Sequence, residues 1–214
     1  MKFSYKILLV TIVVMAAAFG IGGYFFVEYV FETSLGREVG QAMDESSILQ
    51  FAFETAALNV PSKYDVLQDT TVEQIGSNLE TGGQGAVRLL RLSDEGKNPL
   101  YVSDGFTEDT EFLMQIDEQT RIYQVMQLGE HYYVQTGSVI HALDRILYLE
   151  TMKDVTEVFE ERTQGFSVYR NLTLAMLLCS SVIMFFISYW LTKPIRLLTK
   201  ATRKMTKGDY SYRA

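Results

Sequence analysis

Residues 172–191 read LTLAMLLCSSVIMFFISYWL, twenty positions without a charge, and residues 192–198 continue TKPIRLL. At 1.5 Å rise per residue, such a run makes a helix of about 30 Å, the thickness of a bilayer hydrocarbon core. Residues 7–27 form a second charge-free run near the start. The chain averages 48% hydrophobic and 21% charged residues, like an ordinary globular protein, but its apolar residues crowd toward these two runs. Both read as membrane crossings, with residues 28–170 between them.

Charge orients the crossings. Residues 1–6 carry +2, residues 28–170 carry −15 and residues 192–214 carry +6, together the net −7. Excess Lys and Arg beside a crossing marks the cytoplasmic side. Both termini are therefore predicted to be cytoplasmic, with the acidic middle outside. The predicted map is a cytoplasmic N-terminus (1–6), a first crossing (7–27), an outer domain (28–170), a second crossing (171–191) and a basic cytoplasmic helix (192–214). A cleavable signal peptide competes for the N-terminus, with Ala16, Ala17 and Ala18 as a cleavage-like triplet. The apolar run continues past it to Val27, longer than a signal peptide needs, which favours a retained anchor.

The single cysteine, Cys179, sits inside the second crossing. The outer domain thus has no disulfide framework and no cysteine metal site. Its strong acidity gives no reason to expect a nucleic-acid partner.

Beyond Val27, apolar residues recur at Phe31, Leu35, Val39, Ala42, Leu49, Phe53 and Ala56, close to helical period. This predicts one helix from the membrane to about Leu58, stopped by Pro61, with Gly36 and Gly40 as places for a kink. Ala16 with Gly20, and Ala18 with Gly22, are small-residue pairs that permit close helix approach. A short helix is predicted over 71–79, capped by Thr70 or Thr71. The stretch 81–85 (TGGQG) is a flexible connection that matches no phosphate loop.

From residue 86 the pattern changes to strands: 87–92, 99–103, 122–128, 131–139 and 145–153. A short helix within 107–116 and a two-residue turn at Gly129-Glu130 interrupt them. Leu90, Leu92, Val125, Val134, Leu147 and Leu149 mark one apolar sheet face. Helices followed by an antiparallel sheet give an α+β domain. At Asp154 the period turns helical again, with Asp154 or Thr156 as cap. Val155, Phe159, Arg162, Phe166 and Tyr169 follow spacings of 4, 3, 4 and 3. That pattern fits a coiled-coil seam and a helix lying on the sheet equally well. Beyond the second crossing Ile195, Leu198, Thr202 and Met205 repeat at 3, 4 and 3. Extending the outer seam by sevens reaches 194, so the stripe shifts by one residue at Pro194. Such a shift is where a transmembrane signal can be converted.

The pattern Pro194-Ile195-x-x-Leu198-x-x-x-Thr202-x-x-Met205-x-x-Gly208-Asp209-Tyr210 resembles the first helix and connector start of a HAMP linker of sensor histidine kinases and chemoreceptors. More loosely, the outer region is similar to PAS-like (Cache or PDC) sensor domains. That likeness rests on the long juxtamembrane helix, the strand–Asp94-Glu95-Gly96–strand unit, the meander and the strand-to-helix passage 149–162. The resemblance implies a parallel homodimer, a four-helix HAMP bundle of which one helix is present, and a downstream effector. The expected fold is an α+β membrane protein. Two transmembrane helices flank an extracytoplasmic PAS-like antiparallel-sheet domain with long juxtamembrane helices, and the first HAMP helix follows.

No catalytic residues are expected. The two histidines, His131 and His141, both fall in the outer domain, and neither stands in a phospho-acceptor motif. ATP and Mg are expected only for a kinase core, and a response regulator only through that core, which these residues lack. The chain then reads as part of a longer receptor. Asp104, Glu108, Asp109, Glu111, Asp117 and Glu118 form an acidic stretch without calcium-loop spacing, so a solvated face is expected and no metal site. A small anion or organic acid held by Arg88, Arg121, Tyr123, His131 or Tyr133 is the candidate outer ligand. Arg88 and Tyr123 are expected on the face opposite the apolar positions.

The function so predicted is signal input and transmembrane relay in a two-component sensor histidine kinase of the bacterial plasma membrane. The same module of a chemoreceptor or nucleotide-cyclase receptor, and a stand-alone membrane-anchored binding protein, are the alternatives.

Overall fold

The computed structural model describes residues 2–59, 67–82, 88–107, 109–117 and 121–205. The chain divides into two units, one of Val30–Glu161 and one of Met1–Tyr29 with Arg162–Ala214. Its elements are α1 (Lys2–Leu58), α2 (Asp69–Thr81), β1 (Leu89–Ser93), β2 (Pro99–Val102), α3 (Thr110–Gln115), β3 (Ile122–Leu128), β4 (His131–Ala142), β5 (Arg145–Asp154) and α4 (Thr156–Met205).

In the first unit the five strands form one antiparallel sheet in the order β2-β1-β5-β4-β3. The β3–β4 hairpin turns at Gly129, whose φ of +63° suits glycine. The β4–β5 hairpin turns at Leu143 and Asp144, with Leu143 at φ +54°. Side chains opposite one another share a face. Leu92, Leu149 and Ser138 therefore make one row, and Leu90, Thr151, Thr136 and Tyr123 the next. This face carries the main core. Leu90, Leu92, Leu147, Leu149 and Ile140 pack with Leu49, Phe53 and Ala57 of α1 and with Val72 and Ile75 of α2. Gly76 lets α2 lie against β2, since a Cβ there would stand 2.7 Å from the Tyr101 ring.

The opposite face is covered by α3. Phe112, Leu113 and Ile116 pack there on Val139, Ile122, Ile146 and Tyr148. A Cβ at Gly137 would lie 2.7 Å from Ile116 Cδ1, so the glycine is what allows this helix to rest on the centre of the sheet.

Several expectations shift. α1 is unbroken through Gly36 and Gly40. α2 begins at Asp69 instead of 71, and neither Thr70 nor Thr71 caps it. Gln68 precedes it without a side-chain cap, and its carbonyl accepts from the Thr71 and Val72 amides. An acid in the first turn, Asp69, suits the helix dipole. α3 starts at Thr110 because Asp109 Oδ1 accepts from the Glu111 and Phe112 amides. β4 runs on to Ala142, held by the Leu143-Asp144 turn, which lacks the Gly or Asn signal of a hairpin. Arg88 and Tyr123 lie on the apolar face, contrary to expectation. Side chains alternate along a strand, so 88 shares the side of Leu90 and Leu92, and 123 that of Val125. Val125 itself is 39% exposed, because β3 is the sheet's edge strand.

The second unit pairs segments of α1 and α4. Tyr169 lies over Gly23, and the Tyr24 and Phe166 rings stand 5.9 Å apart. A Cβ added at Gly165 would stand 3.4 Å from Val27 Cγ1, and Glu28 accepts from Arg162 Nη2 at 2.8 and 3.1 Å. Numbers rise on one helix as they fall on the other, so the pair is antiparallel. The glycine that permits the approach is Gly23, since a Cβ at Gly165 would make only ordinary van der Waals contact with Val27. Gly20 and Gly22, expected from the small-residue spacing, have nothing within 4 Å of an added Cβ. Both helices are long and apolar enough to cross a membrane. Only 11% of the first apolar window is buried and none of the second, unlike the core helix of a globular domain. α4 is helical through Pro194, Ile195, Leu198, Thr202 and Met205, while Gly208 and Asp209 lie outside the described residues.

Candidate functional site

The face beneath α3 is not purely apolar. Register places Arg91, Glu150, Gly137 and Ile122 in one row across four strands. Arg91 is 4% exposed and Glu150 fully buried. A chain of side-chain contacts joins them to the helix cap. Gln124 Nε2 donates to Asp109 Oδ2 at 2.9 Å and to Gln135 Oε1 at 2.8 Å. Gln135 Nε2 donates to Glu150 Oε1 at 2.9 Å. Glu150 Oε2 stands 3.7 Å from Arg91 Nε, an ion-pair distance too long for a hydrogen bond. Burying this row leaves Arg91 Nε and Nη1, and the Ser93 hydroxyl two residues on, without hydrogen-bond partners among the described residues. Near Ser93, Lys97 Nζ donates to the Leu113 carbonyl at 2.8 Å and stands 5.0 Å from the Tyr148 ring centroid.

The electrostatics follow from these contacts. The Gln124 hydrogen bond, then the Phe112 and Glu111 amides, outweigh partial burial and hold the Asp109 carboxyl below the usual range. Burial, then the hydrogen bond and charge of Glu80, push the Tyr101 phenol up.

The five residues expected to hold a ligand are not brought to one place. Arg88 Nε donates to Glu45 Oε1 of α1 at 2.7 Å, and its Nη1 to the Leu79 carbonyl. Arg121 donates to the Ser47 hydroxyl and to Gln50 Oε1, also on α1. Both arginines therefore fasten the sheet region to a helix. Tyr123 is 53% exposed on the edge strand. His131 and Tyr133 do meet, with rings 6.3 Å apart, but His131 faces Asp154 at 3.4 Å near the start of α4. Arg91 carries the only buried guanidinium among the described residues. Its position in a row of apolar strand residues, LLRLS, was the available signal.

A second construction stands at the β5–α4 junction, where Val155 alone separates strand from helix. The buried Val155 donates its amide to the Tyr132 carbonyl at 2.8 Å, and Tyr132 N donates to the Thr156 hydroxyl at 2.9 Å. The Thr156 amide donates to Asp154 Oδ1 at 2.8 Å. Partial burial works to raise the Asp154 carboxyl. The hydrogen bonds from Thr156, with His131 alongside, outweigh it and hold the group below the usual range. The Tyr132 ring stacks on Phe159 at 3.7 Å and 5°, and Phe31 of α1 meets Phe159 edge-on. The start of α4 is thus pinned to the adjacent strand by backbone, side-chain and ring contacts together.

No family model, no curated protein and no solved structure matches this chain.

Proposed function

We propose that the chain is the signal-input and transmembrane-relay module of a sensor histidine kinase, anchored in a bacterial plasma membrane with both termini cytoplasmic. The β5–α4 junction is the observation that carries this reading. One buried residue links the sheet to a helix that continues unbroken to Met205. A strand displaced by a stimulus has no loop in which to lose the movement. α1 supports the same reading, because it also runs without interruption from the apolar run into the sheet core at Leu49, Phe53 and Ala57.

The α+β topology is compatible with a PAS-like sensor, and the helical backbone through Pro194 with the first HAMP helix. In this proposal a parallel homodimer completes the HAMP bundle, and a downstream kinase core supplies ATP and Mg chemistry to a response regulator. The stripe offset at Pro194 is the conversion point.

The test is a chimera of residues 1–205 joined to the remaining HAMP and kinase core of a reporter histidine kinase. One to four alanines are inserted between Leu191 and Pro194. Each insertion turns the downstream helix by about 100°. Autophosphorylation in membranes should oscillate with insertion length, returning near the starting level after about four residues. Output that is flat across the series would remove the relay reading.

A further inference from the structure

We propose that the sheet face beneath α3 binds a small monocarboxylate, with Arg91 and Ser93 holding the carboxylate and Lys97 lending charge at the rim. This deepens the sensor reading and rests on it, because it names the class of stimulus.

An arginine is among the most expensive side chains to bury, and it is buried with its donors satisfied or at a cost. Arg91 is 4% exposed, yet Nε and Nη1 have no hydrogen-bond partner among the described residues. Glu150 balances its charge at 3.7 Å without satisfying its hydrogens, and Glu150 Oε1 is itself held by Gln135. The buried Ser93 hydroxyl also lacks a partner and occupies the same face two residues along β1. Two adjacent unused donors are what a carboxylate would engage.

Lys97 strengthens the assignment. It stands at φ +63°, where a glycine is usual, and its ammonium points at a neutral carbonyl and an aromatic ring, with no salt bridge among the described residues. Tyr148 pairs with Ser93 in register, so the lysine, the ring and the serine share one neighbourhood. Arg91, Lys97 and Glu150 sum to one positive charge, which a monoanion neutralises and a dianion overshoots. The planar guanidinium fork matches a carboxylate in shape. Phe112, Leu113 and Ile116 supply an apolar cover for the ligand's body. α3, six residues long, is a cover small enough to lift.

The experiment titrates sodium acetate, propionate and benzoate into the whole chain in nanodiscs, against sodium chloride at equal ionic strength, with thermal unfolding and calorimetry as readouts. At least one carboxylate should raise the unfolding temperature saturably, while sulfate and phosphate should not. Arg91→Met should weaken binding about tenfold or more. Because that variant leaves Glu150 buried without its ion-pair partner and so endangers folding, three milder changes accompany it. Lys97→Gln and Ser93→Ala should each weaken binding a few-fold. Glu150→Gln should tighten it, since it removes a competing carboxylate and keeps the Gln135 hydrogen bond, an effect a purely structural arginine would not produce. No saturable shift with any of the three acids overturns the proposal. So does binding unaltered by all four substitutions, or equal binding of phosphate. Binding without any change in output of the reporter chimera would instead sink the relay reading and leave the site standing.

Discussion

The contact between Gly23 and Tyr169 gives the sharpest test of the helix pair. A Cβ built on Gly23 would overlap the Tyr169 ring at Cε1, Cδ1 and Cζ. Carbon atoms rest about 3.5–4.0 Å apart, so Gly23→Ala cannot be housed unless the helices separate or the ring moves. The cheaper response is for the ring to swing out of its notch, since separating the helices would cost contacts along the whole pair. Overpacking of this kind costs about 1–3 kcal/mol, a factor of roughly 5 to 150 in the pairing equilibrium. The assay uses Val27→Cys with Gly165→Cys on a Cys179→Ser background. An added Gly165 Cβ lies 3.4 and 3.8 Å from the two Val27 methyls, so the two positions are in van der Waals contact when the helices pair. The rate of intrachain cross-linking in membranes under mild oxidant reports how often the helices pair. Gly23→Ala should slow it at least about fivefold, and Tyr169→Ala added to it should restore most of the rate, because the ring is what collides. Cross-linking at the original rate in the Gly23→Ala chain would refute the notch. Failure of Tyr169→Ala to rescue would place the loss elsewhere.

Three further outcomes are expected. Leu149→Ala, at a fully buried position in the central row, should destabilise the sheet unit by about 2–5 kcal/mol, read as a lower urea midpoint with unchanged slope. Gly137→Val should lift α3 from the sheet, since even a Cβ meets Ile116 at 2.7 Å and Phe112 at 3.1 Å. Hydrogen exchange should then show α3 amides losing protection while β1 and β5 keep theirs. Asp109 and Asp154 both titrate below their ordinary range, so their contribution is present above the unfolded value and is lost as pH falls through the folded one. Stability should drop below about pH 4, and Asp109→Ala with Asp154→Ala should flatten that acid limb; an unchanged limb would exclude both carboxylates as its source.

The ends of the molecule were the more legible part. Charge-free runs mark the apolar parts of α1 and α4, and helical period marks the stretch of α1 that buries one face on the sheet at Leu49, Phe53 and Ala57. Strand periods were legible too, and β3 falls on its expected residues. Hairpins without glycine were not: Leu143-Asp144 reverses the chain with a turn that tertiary contacts hold, including Asp144 Oδ1 accepting from Leu67 N at 3.1 Å. The small-residue rule pointed to the right kind of contact but to Gly20 and Gly22 instead of Gly23. The partner surface decides which glycine is used, and that partner is more than a hundred residues away.

The candidate site escaped for a more general reason. Pattern reading assigns apolar residues to the core and charged ones to water, and so leads to Arg121 and Tyr123 on the surface and to the half-buried Arg88 as ligand residues. Within LLRLS the same rule treats Arg91 as the outward residue of an alternating strand. A sheet covered on both faces has no outward side at its centre. Once α3 closes over Gly137, Arg91 and Glu150 are enclosed together, and the apolar neighbours of Arg91 in LLRLS are the one local hint of that closure. A polar residue that an alternating pattern places in solvent and the fold places in the core breaks local consistency, and such breaks are expected at functional or strained sites. The buried row and the pinned β5–α4 junction share β5: Glu150 lies four residues before Asp154 on it. A ligand that draws Arg91 away from Glu150 would act on the strand that leads, through Val155 alone, into α4.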